Sequence, residues 1–328
     1  MVPPQRWASV SARADLPLAV LPPMTTSAPI PAPCPSELPM PVVCLIADPA
    51  VQPLAPALVH EVARATGGEA RWLAEGTAAE VTAEKLDADE VAQIVADAAV
   101  DTVVIPAAGR RKKLLISDMD STVITIECID ELADFAGLKT EVAAVTRRAM
   151  NGELDFVAAL EARVALLAGL PEGAMAEVIR ERLRFMPGAA TLVRTMRAAG
   201  TLTVLVSGGF TVFTRYVREV VGFHLDEANA LEVQDGRLTG RLLGPIRAAE
   251  AKRATLERLR VEHGLERGET LAVGDGANDL PMIKAAGLGV AFRAHPRVRA
   301  EAPVQIDRGD LTALLYLQGY ARDEFITA

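Results

Sequence analysis

The chain has 328 residues, of which 50% are hydrophobic and 4% aromatic, with 34 Lys and Arg residues against 43 Asp and Glu. This length and composition are typical of an α/β protein with two domains. The net charge of −9 argues against a nucleic-acid partner, because no basic stripe offsets the acidic residues.

The cysteines and the apolar runs indicate the cellular compartment of the protein. Cys34, Cys44 and Cys128 show no metal-binding spacing, and so few thiols in a long chain fit a reducing compartment. No apolar run approaches the roughly 18 residues that a membrane-spanning helix needs. We therefore expect a cytoplasmic protein without a membrane partner.

Residues 1–40 are rich in Pro, Ala and Ser and lack periodicity, which predicts a flexible tail. The apolar stretch Leu16–Leu21 is interrupted by Pro17 and is too short for the core of a signal peptide. Met24 is an alternative start of the chain.

Residues 41–106 show the pattern of a small α/β domain. The predicted elements are a strand at Val42–Ala47, a helix at Leu54–Ala65, a strand at Ala70–Ala74, a helix at Val91–Ala98 and a strand at Thr102–Ile105. The segment has three Lys and Arg residues against eleven Asp and Glu, which we interpret as a solvated acidic face. It contains no catalytic constellation.

The strongest local signal is the stretch Lys112–Thr122, KKLLISDMDST. Leu114–Ile116 is apolar and short enough to be a buried parallel strand, and Asp118 and Asp120 follow it closely. A chain leaving the carboxyl end of such a strand opens into the crevice where α/β sheets bind ligands. The simpler alternative is a turn, since aspartate is a common turn former.

The residues between this motif and Pro187 have helical periodicity. Apolar stripes predict helices at Ile129–Ala136, from Thr140 onwards, at Phe156–Leu167 and from Pro171 to about Arg184. An insertion of about 60 residues directly after a catalytic strand indicates a helical lid that excludes water and carries specificity.

Two more predicted strands end in residues that match the first motif. Thr201–Val206 is followed by Ser207–Gly209, whose hydroxyl and glycines suit a close approach of the backbone to phosphate. Leu271–Val273 is followed by GDGAND, in which Asp275 and Asp279 suit a hard cation such as Mg²⁺. The other predicted elements of this half are a helix up to Ala199, a helix at Phe210–Val221, a hairpin around Asp235-Gly236, a helix at Arg247–Glu262, strands at Leu288–Phe292 and Val304–Ile306, and a helix at Leu311–Gln318.

In chain order the motifs are DxDST at Asp118, a serine after a strand at Ser207, Lys252 within GPIRAAEAKRATLERL, and GDGxND from Gly274. This order resembles the haloacid-dehalogenase-type phosphatases over roughly residues 112–314. Within that superfamily SDMDSTVITIECIDELADFAG, VSGGF and AVGDGANDLPM resemble the phosphoserine phosphatases. The resemblance implies an α/β fold with a Rossmann-like parallel sheet (107–126 and 187–328) and an inserted helical cap (127–186).

The resemblance also implies the residues of the site. They are the catalytic Asp118, Asp120, Ser207 and Lys252; the substrate-binding Glu127, Met150, Phe156, Arg163, Ser207, Gly208, Gly209, Lys252 and Asn278; and the Mg²⁺ ligands Asp118, Asp120, Asp275 and Asp279.

The pattern alone is less specific for several of these residues. It favours a helix N-terminal acid at Glu127 and a solvated arginine at Arg163, whereas the matched cap uses these positions to hold the amino and carboxyl groups of phosphoserine. Met150 and Phe156 at helical spacing are more often core residues. Asp279 has two alternatives, orienting a metal-bound water or holding Lys252.

We therefore expect Mg²⁺-dependent hydrolysis of O-phospho-L-serine, the last step of serine biosynthesis. In this mechanism Asp118 attacks phosphorus and forms an aspartyl-phosphate, and Asp120 acts as acid and then as base. The alternatives are a phosphatase or phosphotransferase for another phosphoamino acid, such as phosphothreonine or phosphohomoserine, and a catalytically dead phosphoamino-acid sensor.

The small domain at 41–106 is similar in position to the amino-acid-binding (ACT-like) domains that precede some phosphoserine phosphatases. The resemblance implies a regulatory or dimer-forming module and, with it, a homodimer. We expect removal of residues 1–106 to spare phosphatase activity.

Overall fold

The computed structural model describes residues 40–150 and 153–327, apart from the side chains of Ala149 and Met150. The predicted tail at 1–40 therefore lies, except for Met40, outside the described residues. Within the described part no helix is both long and apolar enough to cross a membrane.

Two sheets organise the described residues. Their strands are Pro41–Ala47 (β1), Glu69–Ala74 (β2), Ala78–Thr82 (β3), Val100–Pro106 (β4), Leu114–Ser117 (β5), Leu202–Phe210 (β6), Leu225–Gln234 (β7), Arg237–Leu243 (β8), Thr270–Gly274 (β9), Leu288–Phe292 (β10) and Val304–Ile306 (β11). The helices are Pro56–Thr66 (α1), Ala88–Val95 (α2), Cys128–Phe135 (α3), Lys139–Met150 (α4), Phe156–Leu166 (α5), Gly173–Glu181 (α6), Ala189–Ala198 (α7), Thr211–Val217 (α8), Ala249–Glu262 (α9), Leu280–Ala285 (α10), Pro296–Glu301 (α11) and Ala313–Leu317 (α12).

The large sheet has the strand order β11-β10-β9-β5-β6-β7-β8 and is parallel except for the β7-β8 hairpin. Its central strands β5, β9 and β10 are buried along their whole length, as short apolar runs without alternation predict. The predicted α/β fold with a Rossmann-like parallel sheet is confirmed.

The register of the central strands determines where the site lies. Ser117, the last residue of β5, is paired with Leu205 of β6 on one side and with Val273 of β9 on the other. Because the three strands are parallel neighbours, the residues that follow them emerge at the same edge of the sheet. Three motifs that are far apart in the sequence therefore meet there.

Helices α3–α6 connect β5 to α7 and lie within the range predicted for the cap. The chain enters and leaves this region side by side, because Ile124 and Phe185 form an antiparallel bridge. Thr125 N–H also donates to Arg184 O at 2.9 Å. The helical insertion is thus attached to the sheet through two adjacent strands of chain.

The small sheet has the order β2-β3-β1-β4 and is antiparallel, with α1 and α2 as crossovers, which is the βαββαβ arrangement of ferredoxin-like domains. Strand β3 was not predicted from the sequence. Val43 and Leu45 of β1 pack with α1 and α2, whereas Val42, Cys44 and Ile46 belong to the main core, which also contains α12. The small sheet thus shares its second face with the rest of the protein, which argues against a freely removable module.

Candidate active site

A cavity of about 470 Å³ opens at the carboxyl edge of β5, β6 and β9. The predicted site residues that line it are Asp118, Asp120, Glu127, Phe156, Arg163, Gly208, Gly209, Asp275 and Asn278. Ser207, Lys252 and Asp279 are buried beside these residues. The side chain of Met150 lies outside the described residues.

Lys252 is enclosed between two carboxylates. It is 1% exposed, and its Nζ donates to Asp118 and to Asp279, in each case at 2.7 Å. Burial lowers the pKa of Lys252, but Asp118 and Asp279 more than offset this effect and raise it above its ordinary value. Lys252 therefore carries a positive charge next to the oxygen of Asp118.

Asp279 makes the contact with Lys252 that the second of its two predicted roles requires. Besides its ion pair with Lys252, its other oxygen accepts the N–H of Gly276 at 3.0 Å. Gly274 makes room for this carboxylate, because a Cβ at that position would lie 2.4 Å from the Asp279 carboxyl carbon. Asp279 thus holds Lys252 in place.

The carboxylates at this edge fit a divalent cation. Oxygen atoms of Asp118, Asp275 and Asp279 lie within 4.8 Å of one another, and carboxylate oxygens are the ligands that Mg²⁺ prefers. Burial and the charge of Asp279 raise the pKa of Asp275 to about 6, although Thr122 donates to it at 2.8 Å. Burial and Asp279 likewise raise the pKa of Asp118. A bound cation would offset this crowding of negative charge.

The carboxylate of Asp120 was predicted among the metal ligands, but it lies outside this acidic group. One of its oxygens accepts the N–H of Cys128 at 2.9 Å, and the other accepts the Ser207 hydroxyl at 3.2 Å. Burial raises the pKa of Asp120, whereas the hydrogen bonds from Cys128 and Ser207 lower it, and burial has the larger effect. A carboxyl group with a raised pKa is suited to give a proton to a leaving group.

Gly209 secures the position of Asp120. Its N–H donates to the Ser207 hydroxyl at 2.8 Å. A Cβ at Gly209 would lie 2.8 Å from the Asp120 oxygen and 3.1 Å from the Ser207 hydroxyl. Only a residue without a side chain leaves both groups where they are.

We expect Gly209→Ala to lower kcat by about 100-fold, because the added methyl group displaces the carboxyl group of Asp120, the predicted acid and base of the reaction. The measurement is phosphate release together with thermal unfolding. Gly268→Ala is the matched control, since a Cβ there meets no atom within 4 Å. An unchanged kcat in the Gly209 variant would contradict the role of this contact.

The cap supplies the opposite wall of the cavity. Glu127 lies at the amino end of α3 and accepts the Ser121 hydroxyl at 2.6 Å. The surrounding protein and the negative charge of Asp120 raise the pKa of the Glu127 carboxyl to about 7. A cationic group of a ligand would favour the charged form of this carboxyl group.

Arg163 and Phe156 reach the cavity from α5. Arg163 is half-buried and lines the cavity, and among the described residues its hydrogen-bond acceptor is Ala159 O, 3.3 Å from its Nε. Burial lowers the pKa of Arg163, and Asp130 and Glu127 raise it. The Phe156 ring lies over Gly208, where a Cβ would come within 3.1 Å of it.

The structure adds His295 to the lining, although the four histidines of the sequence show no metal-binding spacing. Its N–H donates to Asp275 O at 3.2 Å, and its side chain lines the cavity. The signal that was available is its place in the sequence, three residues after β10, the strand next to β9. A residue in that position reaches the same edge of the sheet.

Comparison with known proteins agrees with this geometry. Residues 115–284 match the haloacid dehalogenase-like hydrolase family. A phosphoserine phosphatase of Polaromonas sp. (strain JS666) is 50% identical over 210 residues, which are 62% of this chain and 89% of that protein.

Two solved structures are also similar. The unliganded probable phosphoserine phosphatase from Vibrio cholerae superimposes with a TM-score of 0.72 at 35% identity, over 87% of this chain and 88% of that one. A substrate-bound phosphoserine phosphatase has a TM-score of 0.59 at 38% identity, over 63% of this chain and 98% of that one. The chain belongs to the haloacid dehalogenase-like hydrolase family.

Proposed function

We propose that this protein hydrolyses O-phospho-L-serine to L-serine and phosphate through an aspartyl-phosphate on Asp118. The proposal rests on one observation: the cavity is lined by phosphate-binding groups from the sheet and by a carboxylate and a guanidinium from the cap. Asp118 and Lys252, 2.7 Å apart, form the phosphate side, and Glu127 and Arg163 on the cap face them. The relatives named above carry the same activity in their names.

The chain's own groups account for both halves of the reaction. A carboxylate oxygen of Asp118 forms a bond to phosphorus while the bond from phosphorus to the serine oxygen breaks, and Asp120 gives that oxygen a proton. Asp120 then takes a proton from the water that attacks the phosphorus, which releases phosphate and restores Asp118. Lys252 offsets the negative charge of the phosphoryl oxygens.

We propose Mg²⁺ as the cation of the acidic group, with Asp118 and Asp275 as its carboxylate ligands. When bound, it would offset the charge of the phosphoryl oxygens and of the crowded carboxylates. Asp279 is less available as a ligand, because both of its oxygens already accept hydrogen bonds.

The experiment that tests the activity is phosphate release from a panel of phosphate monoesters, with Mg²⁺ and with a chelator. We expect phosphoserine to be preferred and turnover to be lost when the metal is removed. A second measurement does not depend on turnover: Mg²⁺ should raise the unfolding temperature of the wild type but not of Asp275→Asn. Equal rates across the panel would leave only a generic phosphatase.

The substrate preference depends on Arg163. We expect Arg163→Ala to lower kcat/KM for phosphoserine by about 100-fold, because a charge-assisted hydrogen bond to the substrate carboxylate is lost. Phosphoethanolamine has the ammonium group but no carboxylate, so its kcat/KM should change little. Arg180→Ala, an exposed arginine of the cap that pairs with Glu181, is the control. An equal loss of kcat/KM on both substrates would contradict the proposed contact between Arg163 and the substrate carboxylate.

We also propose a cytoplasmic homodimer. The two described cysteines are free and buried, and burial raises the pKa of Cys44 to about 12, which suits a reducing compartment. The dimer rests on the small sheet, where β2 is an edge strand with exposed residues that a second copy can pair with. A single-chain mass in light scattering would count against the dimer.

A further inference from the structure

A buried carboxylate of the small domain accepts hydrogen bonds from a loop of the large domain. Asp101 on β4 is 7% exposed, and it accepts the N–H groups of three successive residues, Asp307, Arg308 and Gly309, each at 2.9 Å. Successive main-chain N–H groups around one anion form a compact binding nest. Because the charge of Asp101 is met by this loop, the position of the loop is fixed relative to the small sheet.

The residues that follow this loop, 310–312, pack against Pro187 and Gly188, where the chain leaves the cap. We call this point the exit of the cap. Leu311 N–H donates to Pro187 O at 3.1 Å. Gly188 has a φ of 82°, and a Cβ there would lie 2.8 Å from Thr312 N and 3.0 Å from the Asp310 side chain. This close approach means that a shift of residues 310–312 would be passed directly to the exit of the cap.

The same loop also contacts the segment that borders the cavity. Arg293, whose φ of 45° is unusual for a residue with a side chain, donates from Nη2 to Gly309 O at 3.2 Å. Its Nη1 lies 3.8 Å from the Met186 sulfur, next to the exit of the cap. Two residues further on, His295 donates to Asp275 O and lines the cavity.

We propose that Asp101 is a positioning residue for the reaction, which sets the exit of the cap through residues 307–312. The inference deepens the proposed function and rests on it for the choice of substrate. The cap carries Arg163 and Glu127, so a displaced cap should impair substrates that need those side chains. It should spare acetyl phosphate, whose reactive leaving group needs no contact with the cap.

The test compares Asp101→Ala and Asp101→Asn with Asp97→Ala, an exposed acid of the same domain. Below the unfolding temperature of each variant, we expect Asp101→Ala to lower kcat/KM for phosphoserine by about 10-fold and to leave acetyl phosphate hydrolysis unchanged. Asp101→Asn should be intermediate, since it keeps one acceptor oxygen. An equal loss on both substrates would indicate a purely structural role and overturn the proposal, as would no loss on either.

Hydrogen exchange gives a readout that is independent of the substrate. In Asp101→Ala we expect faster exchange in peptides that cover residues 186–191 and 307–315, with unchanged exchange in β5. If the wild type shows no preference for phosphoserine but the exchange changes as expected, the proposed function fails and the positioning role stands. Unchanged exchange overturns the positioning role itself.

A second variant keeps the proposal testable if Asp101→Ala does not fold. A Cβ at Gly309 would lie 3.2 Å from the Ile46 side chain and 3.0 Å from the Ala313 Cβ. Gly309→Ala therefore disturbs the same contact from the opposite side and leaves the Asp101 charge in place. It should reproduce the selective loss on phosphoserine, and an unchanged ratio of the two substrates would contradict the inference.

Discussion

Replacing Asp118 with asparagine is expected to lower kcat for phosphoserine by at least about 10⁴-fold, because an amide cannot form the aspartyl-phosphate. Two of the neighbouring carboxylates are already engaged in other contacts. Asp120 already accepts hydrogen bonds from Cys128 and Ser207, and Asp279 accepts from Lys252 and Gly276. The loss should appear in kcat, since Glu127 and Arg163, which we propose bind the substrate amino and carboxyl ends, are unchanged.

The fold of this variant should persist, for a reason that is visible in the ion pairs. The asparagine oxygen can still accept from Lys252, and Lys252 keeps its 2.7 Å contact with Asp279. The measurement is phosphate release together with circular dichroism and thermal unfolding, with mass spectrometry to exclude deamidation. Asp323→Asn, at an exposed acid remote from the cavity, controls for the change of charge. Substantial turnover in an undeamidated Asp118 variant would remove Asp118 from its role as nucleophile.

The sheet and the phosphate side of the site could be predicted from the sequence, because both follow from local patterns. Short apolar runs such as Leu114–Ile116 and Leu271–Val273 become strands that are buried on both faces, and each run is followed by its functional residues. The hairpin signal was equally local. Asp235 and Gly236 both have positive φ, at 52° and 72°, as a two-residue turn of this kind requires.

Lys252 could have been found without the resemblance. The buried positions of α9 are Lys252, Thr255, Leu256 and Leu259, a spacing of three, four and seven residues that marks one face of a helix. Arg253, the next residue in the sequence, lies on the outer face and pairs with Glu250. A lysine in register with an apolar stripe is a sign of a buried charge with a partner elsewhere.

The cap side and the small domain could not be predicted locally, because distant residues decide them. Arg163 faces the cavity only because α5 packs across it, and the helix pattern alone favoured solvent. The acids of residues 41–106 were interpreted as a solvated face, which is wrong for two of them. Glu80 is buried against Arg110 at 2.6 Å, and Asp101 is buried against residues 307–309. Both partners lie in another part of the chain.

Replacing Lys252 with methionine is expected to cost about 3–5 kcal/mol of unfolding free energy, as well as most of the turnover. Methionine is close in size to the lysine stem, so the change removes mainly the charge. Asp118 and Asp279 then remain buried without a counterion, next to Asp275. Breaking a buried ion pair on one side is costly because the remaining charges keep their desolvation penalty.

The effect of pH on this variant has a definite sign. In the wild type the pKa of Lys252 is raised by its two carboxylates, so its stabilising effect is complete below its unfolded pKa of about 10.4 and is lost only at higher pH. The loss in Lys252→Met is therefore complete at pH 7.5. Without the lysine, burial and the neighbouring carboxylates raise the pKa of Asp118 in the folded state further. The folded variant then binds more protons than the unfolded chain, so its stability should recover as the pH falls towards 5.

Urea unfolding with a chelator present, at pH 7.5 and pH 5.5, measures both effects without a metal ion in place of the ammonium group. Arg253→Met is the matched control, because this neighbour is about half exposed and pairs only with Glu250 among the described residues. Its unfolding free energy should change by less than about 1 kcal/mol. If Lys252→Met were as stable as this control at pH 7.5, the buried ion pairs of Lys252 with Asp118 and Asp279 would not stabilise the fold, and the expected cost would be wrong.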